Sequence, residues 1–492
     1  MSAKRLSNAT LAALPAEVAR PAYDRSAVTA GIVHLGVGAF HRAHQAVATD
    51  DILGRDPGWG ILGASLKSPA TRDALKPQDG LYTLAVRSGE GERLRVIGSV
   101  LGVLVAPEQP ARLLAAMADP RIRIVSLTVT EKGYCHDPAT GALNEEHPDI
   151  VHDLAEPFAP RSAPGLIVEA LARRRSAGVA PFTLLTCDNL PANGRMVKRI
   201  VDRFAALRNP DLGAFVAGEL LCPATMVDRI TPATTDDDRA RISAALGVED
   251  AAPVVTEPFS QWVIEDRFAS GRPDWEDAGA ELVTDVEPYE LMKLRLLNGS
   301  HSSLAYLGYL AGYETVSEAM ADENFERFVH GLMEEVTPTL AVPPSTDLIA
   351  YKTALVQRFR NPALKHRTWQ IAMDGSQKLP QRLLGTIRDC LKRGAPFDRL
   401  ALGVAAWMRY VTGVDEKGQP IDVRDPLAAR LREIAAVEGP NAERLAPALI
   451  AMDAIFGSDL PADPRFVKAV TEKLLTLYGG GAQKSVLELA TT

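Results

Sequence analysis

A segment in the second half of the chain carries three polar side chains at close spacing, Lys293, Asn298 and His301, among apolar neighbours. At about 100° per residue they fall near roughly 0°, 140° and 80° around a helix, so they can share one side of it. A lysine buried against apolar surface has a lowered pKa, and its neutral form can take the proton of an alcohol. An amide and an imidazole N–H can stabilise an oxygen that gains negative charge. The segment therefore predicts proton transfer to or from the oxygen of an alcohol or carbonyl group.

The same spacing also fits an ordinary amphipathic helix with an exposed Lys293, a capping Asn298 and a core His301. Tyr289 and Lys293 form a Tyr-x-x-x-Lys pair, which short-chain dehydrogenases use in catalysis. In those enzymes the pair lies much earlier in the chain, so we interpret the match as chance. Whether this segment has a catalytic or a structural role therefore depends on the other motifs in the chain.

A dinucleotide-binding turn is predicted near the start of the chain, where a short apolar strand runs into Gly36-Val-Gly38 and then a helix. Glycines there allow a tight turn and let a pyrophosphate approach the backbone. The full pattern has a third glycine, which His41 replaces here, so the motif alone is weak. We assign Gly36, Gly38, Phe40 and Arg42 to the cofactor site. Arg42 suits a phosphate as a cation, and a solvated helix charge is the alternative.

Polar residues follow two further predicted strands, and ligands bind at the carboxyl ends of strands in open α/β sheets. Thr130 and Glu131 follow one strand, and Asn189 follows the next after Cys-Asp. These residues are expected to face the nicotinamide and the substrate, although an Asx turn would also explain the second group. The strand at 60–66 ends at Lys67 with no acid for a ribose, which leaves NAD and NADP both open.

The order of the elements predicts two domains. Short apolar strands alternate with helices in the first half, which indicates a parallel sheet covered by helices. The strands are expected at 32–35, 60–66, 81–86, 122–129 and 182–187, with helical insertions at 207–250. The second half has helical periodicity at 289–297, 323–335, 346–359, 379–393, 399–411 and 465–477. We therefore expect an α/β Rossmann-type domain at 1–285 and a mostly α-helical domain at 286–492.

Composition limits the partners. The net charge of −8 argues against nucleic acid and anionic membranes as partners. Four cysteines, none in a Cys-x-x-Cys pair, suggest a reduced chain without a zinc framework. No signal peptide and no membrane-length apolar run is seen, so we expect a cytoplasmic protein.

Several blocks in fixed order resemble the mannitol dehydrogenase family, the polyol-specific long-chain dehydrogenases. The blocks are IVHLGVGAFHRAHQA, TVTEKGY, CDNLPANG, MVDRITPAT, EPFSQWVIEDRF and KLRLLNGSHSSLAYLGYL. The resemblance covers essentially the whole chain. It implies a Rossmann-type domain, a mostly helical C-terminal domain, NAD as cofactor and no metal.

The resemblance also implies roles for matched positions. In the Lys-x4-Asn-x2-His motif, Lys293 would be the general acid/base and His301 would bind a substrate hydroxyl. Asn298 and Asn189 would polarise the reacting oxygen. Asp228 of the Met-Val-Asp-Arg block would lie close to the substrate and the lysine.

Within the family, the chain resembles the branch that interconverts D-fructuronate and D-mannonate, through the blocks at 130–135 and 366–382. A sugar acid needs a cation for its carboxylate, and Lys378, Arg382 and Arg367 are the candidates. Solvated helix charges are the alternative for each. A mannitol or other polyol dehydrogenase is the second hypothesis, and a non-catalytic NAD-binding sensor is the third.

Overall fold

The computed structural model describes residues 4–137, 140–343 and 346–490. The chain divides into two compact units, Met1–Glu287 and Pro288–Thr492. The first contains the strands and the second is built from helices, as the expected combination of a Rossmann-type domain and a helical domain requires.

A five-stranded parallel sheet organises the first unit, with strand order β5-β2-β1-β6-β7. Its neighbours are two three-stranded sheets, β4-β3-β9 and β11-β10-β8. The strands are β1 Ala30–Leu35, β2 Gly60–Ser65, β3 Tyr82–Ser88, β4 Gly91–Ile97, β5 Val100–Val105, β6 Ile124–Leu127, β7 Thr183–Thr186, β8 Thr225–Asp228, β9 Val254–Thr256, β10 Gln261–Glu265 and β11 Glu281–Val283.

The predicted strand at 81–86 forms, but it lies outside the parallel sheet. It becomes β3 and pairs antiparallel with β4 through the tight connection at 89–90. The edge position beside β2 is taken instead by β5, which sequence reasoning did not single out. The insertion at 207–250 is likewise only partly helical, because it contains β8.

The main sheet is buried on both faces, which explains its continuous apolar strands. In β1, Val33 and Leu35 pack into one hydrophobic cluster and Ile32 packs into another on the opposite face. The α-helices of this unit are Ala39–Ala43, Gln45–Ile52, Ala70–Leu75, Pro110–Ala118, Thr130–Gly133, Pro148–Ala155, Ala163–Ser176, Asn193–Arg208, Pro210–Glu219 and Asp236–Leu246. Short 3₁₀ turns occur at Leu11–Ala13, Arg25–Ala27, Pro57–Trp59, Lys76–Gln78 and Trp275–Ala278.

Helices surround one large apolar core in the second unit. They are Glu287–Met292, which spans the division, then Gly299–Ala311, Val316–Met320, Glu323–Val336, Leu348–Phe359, Thr368–Ala372, Gly375–Leu379, Gly385–Arg393, Asp398–Val411, Ala428–Glu438, Ala442–Ile450, Asp453–Phe456, Asp459–Ala462 and Pro464–Ala490. Two 3₁₀ turns lie at Thr337–Thr339 and Pro362–Leu364. Within the described ranges, no helix is both long enough and apolar enough to span a bilayer.

Two of the predicted helices contain a π-helical segment, Lys293–Asn298 and Pro380–Leu384. The segments pack against each other. Pro380 has no N–H to donate to the preceding turn, which gives a local reason for the wider winding of the second segment. At the end of the first, a Cβ on Gly299 would lie 2.9 Å from the carbonyl oxygen of Arg382. Glycine therefore permits the close approach of the two backbones.

Candidate functional site

The glycine turn after β1 has the geometry that a dinucleotide requires. Gly36 has a φ of +93°, and a Cβ there would lie 2.1 Å from the carbonyl oxygen of Thr128. Any side chain would break this contact with the end of β6. Gly38 is exposed, and the nearest heavy atom to its Cβ position is 3.8 Å away. The backbone there is open for the close approach of a pyrophosphate.

Arg42 requires a correction, because its guanidinium is buried below the turn. It donates to the carbonyl oxygen of Ala252 at 2.5 Å and to that of Gly38 at 3.3 Å, and it stacks over the Tyr82 ring. The Arg42 guanidinium is therefore used in contacts within the protein that support the turn, and the predicted contact with a phosphate is not supported. Phe40 is half-buried and packs against His44, with ring centroids 4.5 Å apart.

Hydrogen bonds connect the glycine turn to the next strand end. The Thr128 hydroxyl donates to the carbonyl oxygen of Gly36 at 2.7 Å, and His34 Nε2 lies 2.8 Å from the same hydroxyl. His34 is fully buried between Thr128 and Ser126. Burial lowers the pKa of His34 to about 3, so its ring stays neutral in this network.

The ends of β6 and β7 form a second connected group. Asp188 accepts hydrogen bonds from the backbone N–H groups of Val129 and Thr130, at 2.9 and 3.1 Å. Thr130 is exposed and has a φ of +63°, and Glu131 follows it in a short helix. Asn189, the predicted oxygen-polarising residue, is exposed immediately after Asp188. The glycine turn, Thr130, Glu131 and Asn189 therefore lie at the carboxyl edge of one sheet.

The end of β2 offers no free acid for a ribose. Lys67 is exposed there, and the nearby Asp73 and Glu108 both form ion pairs with Arg72. Asp228, predicted to lie near the substrate, is buried at the last position of β8 in a separate sheet of the same unit.

The second unit holds the predicted proton-transfer residues on one continuous helical stretch. Lys293 is 5% exposed, and Asn298 and His301 are each 7% exposed. The π segment begins at Lys293 and ends at Asn298. An ordinary amphipathic helix would leave the lysine in solvent, so that alternative is wrong for Lys293. π-helical segments within α-helices are frequent at functional sites.

His301 lies in an apolar and cationic environment. Its ring stacks on Phe359 with centroids 5.4 Å apart and meets His366 edge-on at 4.7 Å. Its Nε2 is buried with no hydrogen-bond partner among the described residues. Burial, followed by the neighbouring His366 and the cations Arg382 and Arg358, holds the pKa of His301 well below its usual range. The ring is therefore neutral, with a nitrogen left for a ligand.

Two predicted carboxylate-binding cations lie beside this histidine. Arg382 donates from Nη1 to the Ser302 hydroxyl at 3.0 Å. Lys378 is held by the carbonyl oxygens of Ile371 and Met373, at 3.2 and 2.5 Å. Both cations lower the pKa of His366, which burial brings down to about 4.

Arg358 is a third cation that sequence reasoning missed. It is 9% exposed in the helix Leu348–Phe359, next to the residue that stacks on His301. A signal was available, because Arg358 lies three residues after Leu355 and next to Phe359 and so shares a helix face with apolar side chains, where a solvated charge is out of place.

Arg367 also needs correction. Its side chain is 61% exposed and pairs with Glu314 at 3.5 Å, on an isolated β-bridge between Thr315 and Arg367. The tertiary fold turns it to the surface although it adjoins His366 in the sequence. It is therefore a solvated charge, the alternative weighed for it above.

A mixed group of possible metal ligands occurs in the first unit, away from these residues in sequence. Donor atoms of Cys135, His147 and Asp149 lie within 4.8 Å of one another. His147 Nδ1 already accepts the backbone N–H of Asp149 at 3.2 Å. Burial raises the pKa of the Cys135 thiol to about 12, which disfavours the thiolate that a metal needs.

Comparison with known proteins gives matches over nearly the entire chain. The chain is 50% identical to the D-mannonate oxidoreductase of Escherichia coli K12, over 96% of this chain and 98% of that protein. It is 42% identical to the mannitol 2-dehydrogenase of Aspergillus terreus, over 95% and 94%.

A solved structure agrees with the fold. The Pseudomonas fluorescens mannitol 2-dehydrogenase, in a ternary complex with NAD and D-mannitol, superposes with a TM-score of 0.94 at 41% identity, covering 99% of this chain and 100% of that one. The mannitol dehydrogenase Rossmann-domain model matches residues 30–277, and the mannitol dehydrogenase C-terminal-domain model matches residues 285–478. The chain belongs to the mannitol dehydrogenase family of oxidoreductases, as its motifs predicted.

Proposed function

We propose that this oxidoreductase interconverts a keto sugar acid and its alcohol, specifically D-fructuronate with NADH and D-mannonate with NAD. The chain is a dehydrogenase of polyols or sugar acids, and one observation favours the acid. Three cations, Arg358, Lys378 and Arg382, surround the neutral His301 on the helical unit.

The balance of charge at this histidine supports an anionic substrate. Burial, and then the cations Lys378 and Arg382, lower the pKa of His366. The pKa of His301 is lowered too, so both rings stay neutral. Three cations grouped beside two neutral rings suit an anionic ligand, because a carboxylate accepts charge-assisted hydrogen bonds from arginine and lysine. A carboxylate of a hexuronate would accept hydrogen bonds from an arginine fork such as that of Arg382. A neutral hexitol could accept hydrogen bonds from these cations but would lack the attraction between opposite charges.

The chemistry follows from the residue types. NADH supplies the hydride to the keto carbon when it is bound. The carbonyl oxygen gains negative charge, which the amide group of Asn298 stabilises by a hydrogen bond, and the family resemblance implies the same role for Asn189. The Lys293 ammonium then donates its proton to that oxygen and becomes a neutral amine, which reverses its role in the oxidation direction. Lys293 is 5% exposed, so bulk water is largely kept from its amine during this exchange. His301 Nε2 is available for a substrate hydroxyl.

The relatives support both the cofactor and the substrate class. The dinucleotide is NAD, which is bound in the Pseudomonas fluorescens complex. The 50% identity to a D-mannonate oxidoreductase exceeds the 42% to a mannitol 2-dehydrogenase. D-mannonate is a sugar acid, in agreement with the cations around His301.

A kinetic panel tests the proposal. Fructuronate, tagaturonate and fructose are assayed with NADH and with NADPH, and mannitol and mannonate with the oxidised cofactors. We expect kcat/KM with fructuronate and NADH to exceed that with fructose at least a hundredfold. Equal or higher kcat/KM with fructose and mannitol would reject the sugar-acid assignment and favour a polyol dehydrogenase.

A further inference from the structure

We infer that Asp188 is a positioning residue for cofactor binding: its carboxylate ties the backbone turn after β6 to the turn after β7 that carries Asn189. This inference rests on the dinucleotide part of the proposed function and not on the identity of the substrate. NADH binding alone can therefore test it.

The carboxylate has a full set of donors. Asp188 Oδ2 accepts from the Val129 N–H at 2.9 Å and from the Tyr134 hydroxyl at 2.6 Å, and Oδ1 accepts from the Thr130 N–H at 3.1 Å. The Tyr134 hydroxyl also lies 2.7 Å from Thr186 Oγ1. A single side chain thus satisfies two backbone groups just after β6 that have no strand partner.

The backbone of Asp188 is itself fixed from behind. Asn193 Nδ2 donates to the carbonyl oxygens of Asp188 and Thr225, at 3.0 and 2.9 Å, and its Oδ1 accepts the Thr225 N–H at 3.0 Å. The carboxylate is therefore a rigid anchor, and the turn after β6 is the segment that it holds.

The turn that Asp188 holds is strained and leads directly to the glycine turn. Thr130 has a φ of +63°, which costs a β-branched residue energy and needs compensation from its surroundings. Two residues earlier, the Thr128 hydroxyl donates to the Gly36 carbonyl oxygen. The Thr128 carbonyl oxygen occupies the space that a Cβ on Gly36 would need. Loss of the Asp188 contacts would let Thr128–Thr130 relax, and this would disturb the turn expected to take the pyrophosphate.

A matched control exists in the same unit. Asp153 is buried and also accepts two backbone N–H groups, those of Arg161 and Ser162, plus one hydroxyl, that of Ser162. Its contacts lie outside the strand ends. Asp153→Asn therefore measures what such a carboxylate contributes to folding alone.

The test compares Asp188→Asn, Tyr134→Phe and Asp153→Asn in the full chain, by thermal unfolding, NADH titration through nicotinamide fluorescence, and steady-state kinetics. We expect Asp188→Asn to raise the Kd of NADH at least tenfold, because an amide must turn an N–H toward a donor. Tyr134→Phe removes one donor and should raise it severalfold, which keeps the test available if Asp188→Asn does not fold. Asp153→Asn should lower Tm and leave the Kd within twofold.

Two outcomes would overturn the inference. One is an unchanged Kd of NADH in Tyr134→Phe together with an unchanged Kd in any folded Asp188→Asn. The other is an equal rise in Asp153→Asn, which would show that any loss of stability weakens the cofactor. Neither outcome depends on which sugar is the substrate, so failure of the sugar-acid assignment would be recognised separately in the kinetic panel.

Discussion

Lys293 and Asn298 are the first and last residues of a π-helical segment. Its i→i+5 hydrogen bonds bring residues five apart onto the same side, whereas a regular α-helix separates them by roughly 140°. The wider turn therefore aligns the lysine and the amide that the mechanism needs together. The angle between the two side chains around the helix axis is therefore smaller than the value calculated from the sequence for a regular α-helix.

Replacement of Lys293 by alanine should lower turnover strongly while cofactor binding persists. The amine is the proposed proton donor, and general acid catalysis contributes roughly 10²–10⁴-fold to rates. We expect kcat to fall by about a thousandfold, with the Kd of NADH within twofold of the parent. Single-turnover absorbance at the nicotinamide band measures the rate, and Lys392→Ala, on an exposed lysine, is the control. Normal turnover in Lys293→Ala would rule out the mechanism.

Substitutions of Arg382 and Arg367 should differ in their effect on substrate binding, because we place the first residue at the site and the second at the surface. Arg382→Leu removes a charge-assisted hydrogen bond of about 1.5–3 kcal/mol, so the KM for a hexuronate should rise roughly 10–100-fold. Arg367→Leu removes only an exposed ion pair and should leave the KM unchanged. Initial rates over a range of hexuronate concentrations give both values. Equal effects of the two substitutions would contradict the placement of the carboxylate near Arg382.

The two glycines of the cofactor turn should fail in different ways. Gly36→Ala places a methyl 2.1 Å from the Thr128 carbonyl oxygen at a φ of +93°, so it should lower Tm and abolish NADH binding. Gly38→Ala has room for its methyl in the protein, so we expect an unchanged Tm and a weaker Kd for NADH. Thermal scans with and without NADH distinguish them. Tight NADH binding by Gly38→Ala would remove the pyrophosphate from that position.

Buried neutral histidines should make the fold sensitive to mild acid. The pKa of His44 and that of His366 are each lowered to about 4 by burial, below the ordinary value of 6.5. The unfolded chain therefore binds protons first, and stability is lost as the pH falls from about 6.5 toward 4. Each histidine should cost about 2 kcal/mol of unfolding free energy by pH 5.

Urea unfolding at pH 7.5, 6 and 5 measures this loss. His44→Asn can still donate to the Phe40 carbonyl oxygen that His44 Nδ1 contacts, and it does not titrate. Its stability should depend less on pH than that of the parent, whereas replacement of the exposed His330 should leave the dependence unchanged. An equally steep dependence in His44→Asn would contradict the assignment.

The local sequence was sufficient to predict a feature where the residues that determine it lie close together in one segment. The turn at Gly36 and Gly38 could be located because a strand, a tight turn and a helix follow each other within a few residues, and its contact with the cofactor stays a prediction. The two-part fold followed from periodicity in the same way, and the order of several motifs identified the family. The spacing of Lys293, Asn298 and His301 also lies in one stretch, although their chemical role remains a proposal.

The tertiary structure decided which charges are buried and what surrounds them, because burial depends on neighbours that are distant in sequence. Arg42, Arg358 and Arg367 carry the same charge, and the sequence does not determine what each guanidinium contacts. The fold places the first under a turn, the second beside His301 and the third in solvent. The hydrogen bond from the Val129 N–H to Asp188 likewise joins residues about 60 positions apart, which come close only when β6 and β7 pair.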